Sequence, residues 1–328
     1  MMEPPKLSKT PALPPMLQRV LYNACELRAG WRLLLAVAMY AALIFATTPL
    51  SQRLLRKADE ITRFFAYETL NFIFVVVVSW VMGRIEGRAF GSYGLPRAGM
   101  FGARFWMGVV AGFASITALL VIMRGFGVFY FGHVVLHGGE IGKWALIWGA
   151  FFLLVGFREE FTLRGYALFT LTTGITFWPA ALLTSFIFGF GHGGNSGEDW
   201  IGMFNAGLFG LFACFLLRRT GNLWLPIGFH AAWDWGETYF YGVADSGMVT
   251  PGHLLTPSSA GKAWLSGGTV GPEGSVLATL LLLVIWAICA SWLRETKYPN
   301  PAAVRRAPAP EPAFDLTSGA PIVRPSAG

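Results

Sequence analysis

The sequence predicts an all-α, polytopic transmembrane helix bundle of about eight spans. Three observations carry that expectation. Of 328 residues, 54% are hydrophobic and 13% are charged, whereas soluble domains carry about 25% charged residues. The mean hydropathy is +0.53. Apolar stretches near the length needed to cross a bilayer, about 20 residues, recur along the chain, with most basic residues between them.

The chain begins with a Pro-rich segment over residues 1–30, with no compact apolar core of the kind a cleaved signal peptide has. An N-terminal transmembrane hairpin follows over 31–90, with spans at about 31–50 and 64–83. A helical core is expected over 91–241. Its spans run at about 103–123, from about 143, and at about 179–194, 200–217 and 222–241. The stretch 242–275 reads as a loop, 276–297 as the last span, and 298–328 as a Pro- and Ala-rich disordered tail. The 40 glycines are scattered, and many are expected where membrane helices pack closely.

Charge placement predicts orientation. Arg84, Arg88, Arg97 and Arg104, then Arg218 and Arg219, then Arg294, Lys297, Arg305 and Arg306 fall on one side of an eight-span bundle. The positive-inside rule puts that side, with both termini, in the cytoplasm, as in a bacterial-type cytoplasmic membrane. Arg53, Arg56, Lys57 and Arg63 run against this assignment. The formal charge of +7 makes no continuous basic stripe, so lipid is the expected environment and nucleic acid is not an expected partner. Cys25, Cys214 and Cys289 are too scattered for a disulfide framework or a paired-cysteine metal site.

Ionisable groups inside apolar spans cost about 2.5–3.5 kcal/mol each on insertion scales and mark functional sites by default. Span four carries Arg158-Glu159-Glu160 and Arg164, and two of the five histidines, His192 and His230, lie in or at the end of spans. Placing the turn after span four at 172–179 sets Glu159 and His192 at equal distances from it, and therefore at equal depth in an antiparallel hairpin. His230 is expected at a similar depth, with Asp234 on the same helical face. Glu160 and Arg164 are an i,i+4 pair that can neutralise both charges as a structural support. Glu159 is then free to face a cavity, where a carboxylate beside imidazole can activate water.

Glu159-Glu160-x-x-x-Arg164, Phe188-x-x-x-His192 and His230-x-x-x-Asp234 resemble the three motifs of the CAAX-processing and bacteriocin-processing membrane endopeptidases, the CPBP or Abi family; Tyr93-Gly94-Leu95 resembles the lead-in to that family's first core helix. The resemblance spans about residues 90–240 and implies an intramembrane endopeptidase acting on a membrane-associated peptide or protein. It implies that Glu159 activates the attacking water with help from His192, and that His230 and the last motif residue stabilise the oxyanion. That last residue is most often Asn in the family and is Asp234 here. Asn can donate a hydrogen bond, whereas ionised Asp only accepts. Asp234 therefore either stays protonated or orients His230 and leaves donation to the ring, the second being the expectation. The resemblance implies no metal and no cofactor. A zinc site built from Glu159 and the two histidines is the alternative, and a non-catalytic scaffold or immunity protein is the alternative function. His133, His137 and Glu140 have metal-like spacing but are expected in an exposed connection.

Overall fold

Each long apolar segment folds as a helix, which satisfies its backbone N–H and C=O groups internally where lipid offers no partners. The computed structural model describes residues 15–22 and 27–298. The remainder of the Pro-rich head, Cys25 and the proposed disordered tail from residue 299 lie outside the described residues. A short helix, α1 (Pro15–Leu21), precedes α2 (Ala29–Leu55) and α3 (Glu60–Ile85), which pack against each other. Asp59 starts α3 by accepting from the Thr62 amide at 3.0 Å and its hydroxyl at 2.6 Å. Then come α4 (Ala103–Gly125), α5 (Gly139–Glu160), α6 (Leu168–Ile175), α7 (Phe177–His192), α8 (Trp200–Thr220), α9 (Trp224–Trp235), α10 (Ala263–Ser266) and α11 (Val276–Trp292).

The helical bundle matches the predicted fold class. Among the described residues, five helical stretches are long and apolar enough to cross a membrane: α2, α3, α4, the run Gly139–Ile175 and α8. The other three expected spans are shorter helices of 16, 12 and 17 residues, α7, α9 and α11. Much of α7 and nearly all of α9 are enclosed by neighbours, so neither must present a full apolar length to lipid.

The centre of the bundle is the close packing of α4 on α9. A Cβ at Gly108 or Gly112 would collide with the backbone carbonyls of Leu225 and Phe229, and one at Gly228 with that of Phe105. Small residues let the two backbones meet, the usual device where lipid supplies no hydrophobic drive between helices. Gly112→Val is expected to cost about 1–3 kcal/mol or more through overpacking, read as a lowered unfolding midpoint in detergent.

The connections carry a feature the sequence reading lacks. Strands β1 (Phe129–Val134) and β2 (Leu255–Ser259) pair antiparallel, from Phe129 opposite Ser259 to Val134 opposite Leu255, with an irregularity between Tyr130 and His133. Both are short and partly exposed, without an alternating pattern long enough to announce a strand. His133 and His137 are exposed, and Glu140 pairs with Lys143 at 3.1 Å and accepts from the Trp144 indole at 3.0 Å.

Candidate active site

Glu159 and Glu160 close the regular part of α5. The chain then widens into a π-helical turn, Phe161–Ala167, before α6. Gly165 departs from helical geometry there (φ −84°, ψ −118°), and a Cβ on it would strike the Phe161 ring. Such widened turns are frequent at functional sites. The run ends at Thr176 (φ +64°), inside the predicted turn, and α7 returns antiparallel.

The two adjacent glutamates separate as their angular offset requires. Glu160 and Arg164 are fully buried, with Arg164 Nη1 at 3.4 Å from Glu160 Oε1 and its guanidinium 4.2 Å from the centre of the Phe188 ring. Glu160 Oε1 also lies 2.9 Å from His230 Nδ1. A carboxylate only accepts, so Nδ1 carries its proton toward Glu160. On the other edge of the ring, Nε2 lies 3.6 Å from Glu159 Oε2 and 3.4 Å from Asp234 Oδ2. Glu160 therefore makes the shortest contact to His230 and braces it, in addition to pairing with Arg164; the orienting contact expected from Asp234 is the longer one, and Asp234 sits with Glu159 on the cavity edge of the ring.

Glu159 also accepts from Arg158 Nη2 at 2.7 Å, and the Arg158 Nε is bonded to Glu68 of α3. The structure thereby adds Glu68 to the site. Its sequence signal is an acidic side chain inside an apolar span. His192, at the end of α7, has Nδ1 2.7 Å from the Phe188 carbonyl, which directs its other nitrogen away from the helix.

Glu159, His192, His230 and Asp234 all line one cavity of about 490 Å³. On α7 its wall carries the exposed Ile187; toward the connections it is lined by the exposed Met248 with Asn195, Glu198, Ser246 and Glu273. The latter residues come from the weakly basic connections, at the opposite end of the molecule from Arg218 and Arg219. Ser246 donates through its amide (2.7 Å) and hydroxyl (2.9 Å) to Glu273 Oε1, tying two of these segments together. This end of the cavity is acidic. Burial first, then the Asp234 and Glu273 carboxylates, hold Asp245 well above the usual carboxylate range, and burial followed by Glu273 raises Glu198.

Glu159, His192 and His230 share the cavity without gathering ligand atoms as closely as Asp234, Glu237 and Asp245 do, whose oxygens fall within 4.8 Å of one another.

Comparison with known families places a match on this part of the chain. Residues 141–236 match the family model described as type II CAAX prenyl endopeptidase Rce1-like. The matched segment runs from α5 to just past α9 and contains all six residues singled out from the sequence, in agreement with the resemblance drawn there. No curated protein and no solved structure matches the chain.

Proposed function

We propose that this integral membrane protein is an intramembrane endopeptidase in which Glu159 activates a water for attack on a peptide bond, without a catalytic metal. The observation that carries this reading is a water-accessible cavity within the bundle where the Glu159 carboxylate lies 3.6 Å from His230 Nε2, with His192 on the same wall. The family match over the same helices supports it.

In the reaction, the water oxygen bonds to the scissile carbonyl carbon as Glu159 takes the water proton. His230, held at Nδ1 by Glu160, donates from Nε2 to the developing oxyanion when the ring carries two protons. Glu159 then returns its proton to the leaving amine as the C–N bond breaks. His192 positions the water. Asp234 accepts from Nε2 in the resting site and so orients the ring; where Asn would donate to the oxyanion directly, Asp234 leaves that donation to His230.

Substrate reaches the site through the mouth on the weakly basic side. With both termini cytoplasmic, that mouth opens on the extracytoplasmic face of a bacterial-type membrane, and the substrate is a membrane-associated peptide or protein end presented there. Incubating the detergent-purified protein with a peptide library, with and without a strong chelator, tests the reading by mass spectrometry. New peptide ends that persist in chelator are expected. Cleavage abolished by chelator and restored by Zn²⁺, but not by Ca²⁺, Mg²⁺ or Mn²⁺, would replace the water-activating carboxylate with a zinc site, and wild-type biological function retained in His192→Ala would favour a scaffold.

A further inference from the structure

We infer that Asp234, Glu237 and Asp245 form a binding site for a hard divalent cation, beside the proposed catalytic carboxylate and distinct from it. The three side chains bring ligand oxygens within 4.8 Å of one another, and all three residues are buried. Asp234 lies in the last turn of α9 and Glu237 in the π-helical turn that continues it, Gly236–Tyr241; Asp245 arrives from the turn that follows.

A second observation points to a ligand. Glu237 is wholly buried, yet neither of its carboxylate oxygens has a hydrogen-bond partner. The Trp233 indole is close enough to influence the carboxylate but makes no aligned hydrogen bond with it. Its two neighbours are engaged, Asp245 by the Thr238 hydroxyl at 3.2 Å and Asp234 by His230 at 3.4 Å. Among the described residues no Lys or Arg forms an ion pair with any of the three. Three crowded carboxylates in a site of low dielectric need shared protons or a cation to coexist. The unpaired Glu237 favours the cation, because an acceptor-only group buried without a donor is costly.

The donor set gives the chemical class. Carboxylate oxygens without thiolate suit Ca²⁺, Mg²⁺ or Mn²⁺. Such an ion would tie the end of α9 to the Asp245 turn, where Asp245 and Met248 exchange backbone hydrogen bonds of 3.0 and 2.9 Å. Because Met248 and Ser246 line the same cavity, the ion would fix the shape of that wall and, through Asp234, the acceptor beside His230.

The test titrates the EDTA-stripped, full-length protein in detergent with Mn²⁺, reading free Mn²⁺ by electron paramagnetic resonance, followed by competition with Ca²⁺ and then Mg²⁺. One saturable Mn²⁺ per chain, displaced by one of the two competitors, is expected. Glu237→Gln and Asp245→Asn should each weaken binding at least tenfold, while Glu159→Gln should leave it unchanged. Glu237→Gln removes the unpartnered carboxylate, so its unfolding midpoint in EDTA should equal or exceed the wild-type value, with the metal-induced rise lost. If that variant fails to fold, Asp245→Asn carries the comparison from outside the helix. Absence of saturable binding at millimolar Mn²⁺, binding unchanged in both acidic-cluster variants, or binding lost in Glu159→Gln would each overturn the assignment.

Discussion

Glu159→Gln is expected to lower peptide-bond cleavage by about 10²–10⁴-fold, the usual contribution of a positioned general base, while leaving the fold intact. The amide keeps the shape of the side chain and an oxygen for Arg158, but it cannot take a proton from water. The fold survives because Arg158 does not depend on Glu159 alone; it is also bonded to Glu68. Equal unfolding midpoints for variant and wild type, with cleavage rates that far apart, are the expected pair of measurements. A variant that is merely misfolded would lose both.

Glu160→Ala should do the opposite kind of damage, destabilising the protein by about 3–5 kcal/mol, the range for removing one partner of a buried ion pair. Arg164 is wholly buried, and its Nε and Nη2 already lack hydrogen-bond partners. Without Glu160 its guanidinium keeps the face of Phe188 and a longer-range attraction to Glu159, neither of which replaces the direct ion pair. The double variant Glu160→Ala/Arg164→Met removes the stranded cation and should recover much of that loss in denaturation experiments. Cleavage should not recover with it, because His230 Nδ1 would still lack the acceptor that holds it at 2.9 Å. A double variant as unstable as the single one would show that Arg164 is not the source of the cost.

The helices were legible because apolar runs of bilayer length have few alternative fates, and depth within a hairpin follows from residue counting. That is how Glu159 and His192 could be set at equal distances from a turn placed at 172–179. Angular reasoning separated Glu159, on the cavity, from Glu160, in the packed interior. It stopped short of showing that Glu160 turns toward α9 and braces His230, since that depends on how α5 and α9 rotate against each other. Glu68 shows a different limit. It lies on α3, outside the three motifs, and only the tertiary approach of α3 to α5 delivers it to Arg158. The acidic cluster was equally hidden, because Asp245 reaches Asp234 and Glu237 through a non-helical turn whose path no periodicity encodes. The pairing of β1 with β2 was silent for the same reason, as long-range contact between two connections leaves little local trace.

The central claim is that the Glu159 side chain faces water inside the bundle, and cysteine accessibility tests it without knowledge of the substrate. In a background with Cys25, Cys214 and Cys289 replaced, Glu159→Cys and Phe161→Cys would be treated in membranes with a small water-soluble thiol reagent. Position 159 lines the cavity, whereas Phe161 is fully buried. Rapid labelling at 159 and none at 161 is the expected result. Cysteine at 159 as inert as cysteine at 161 would contradict it, since a carboxylate sealed from water cannot activate one.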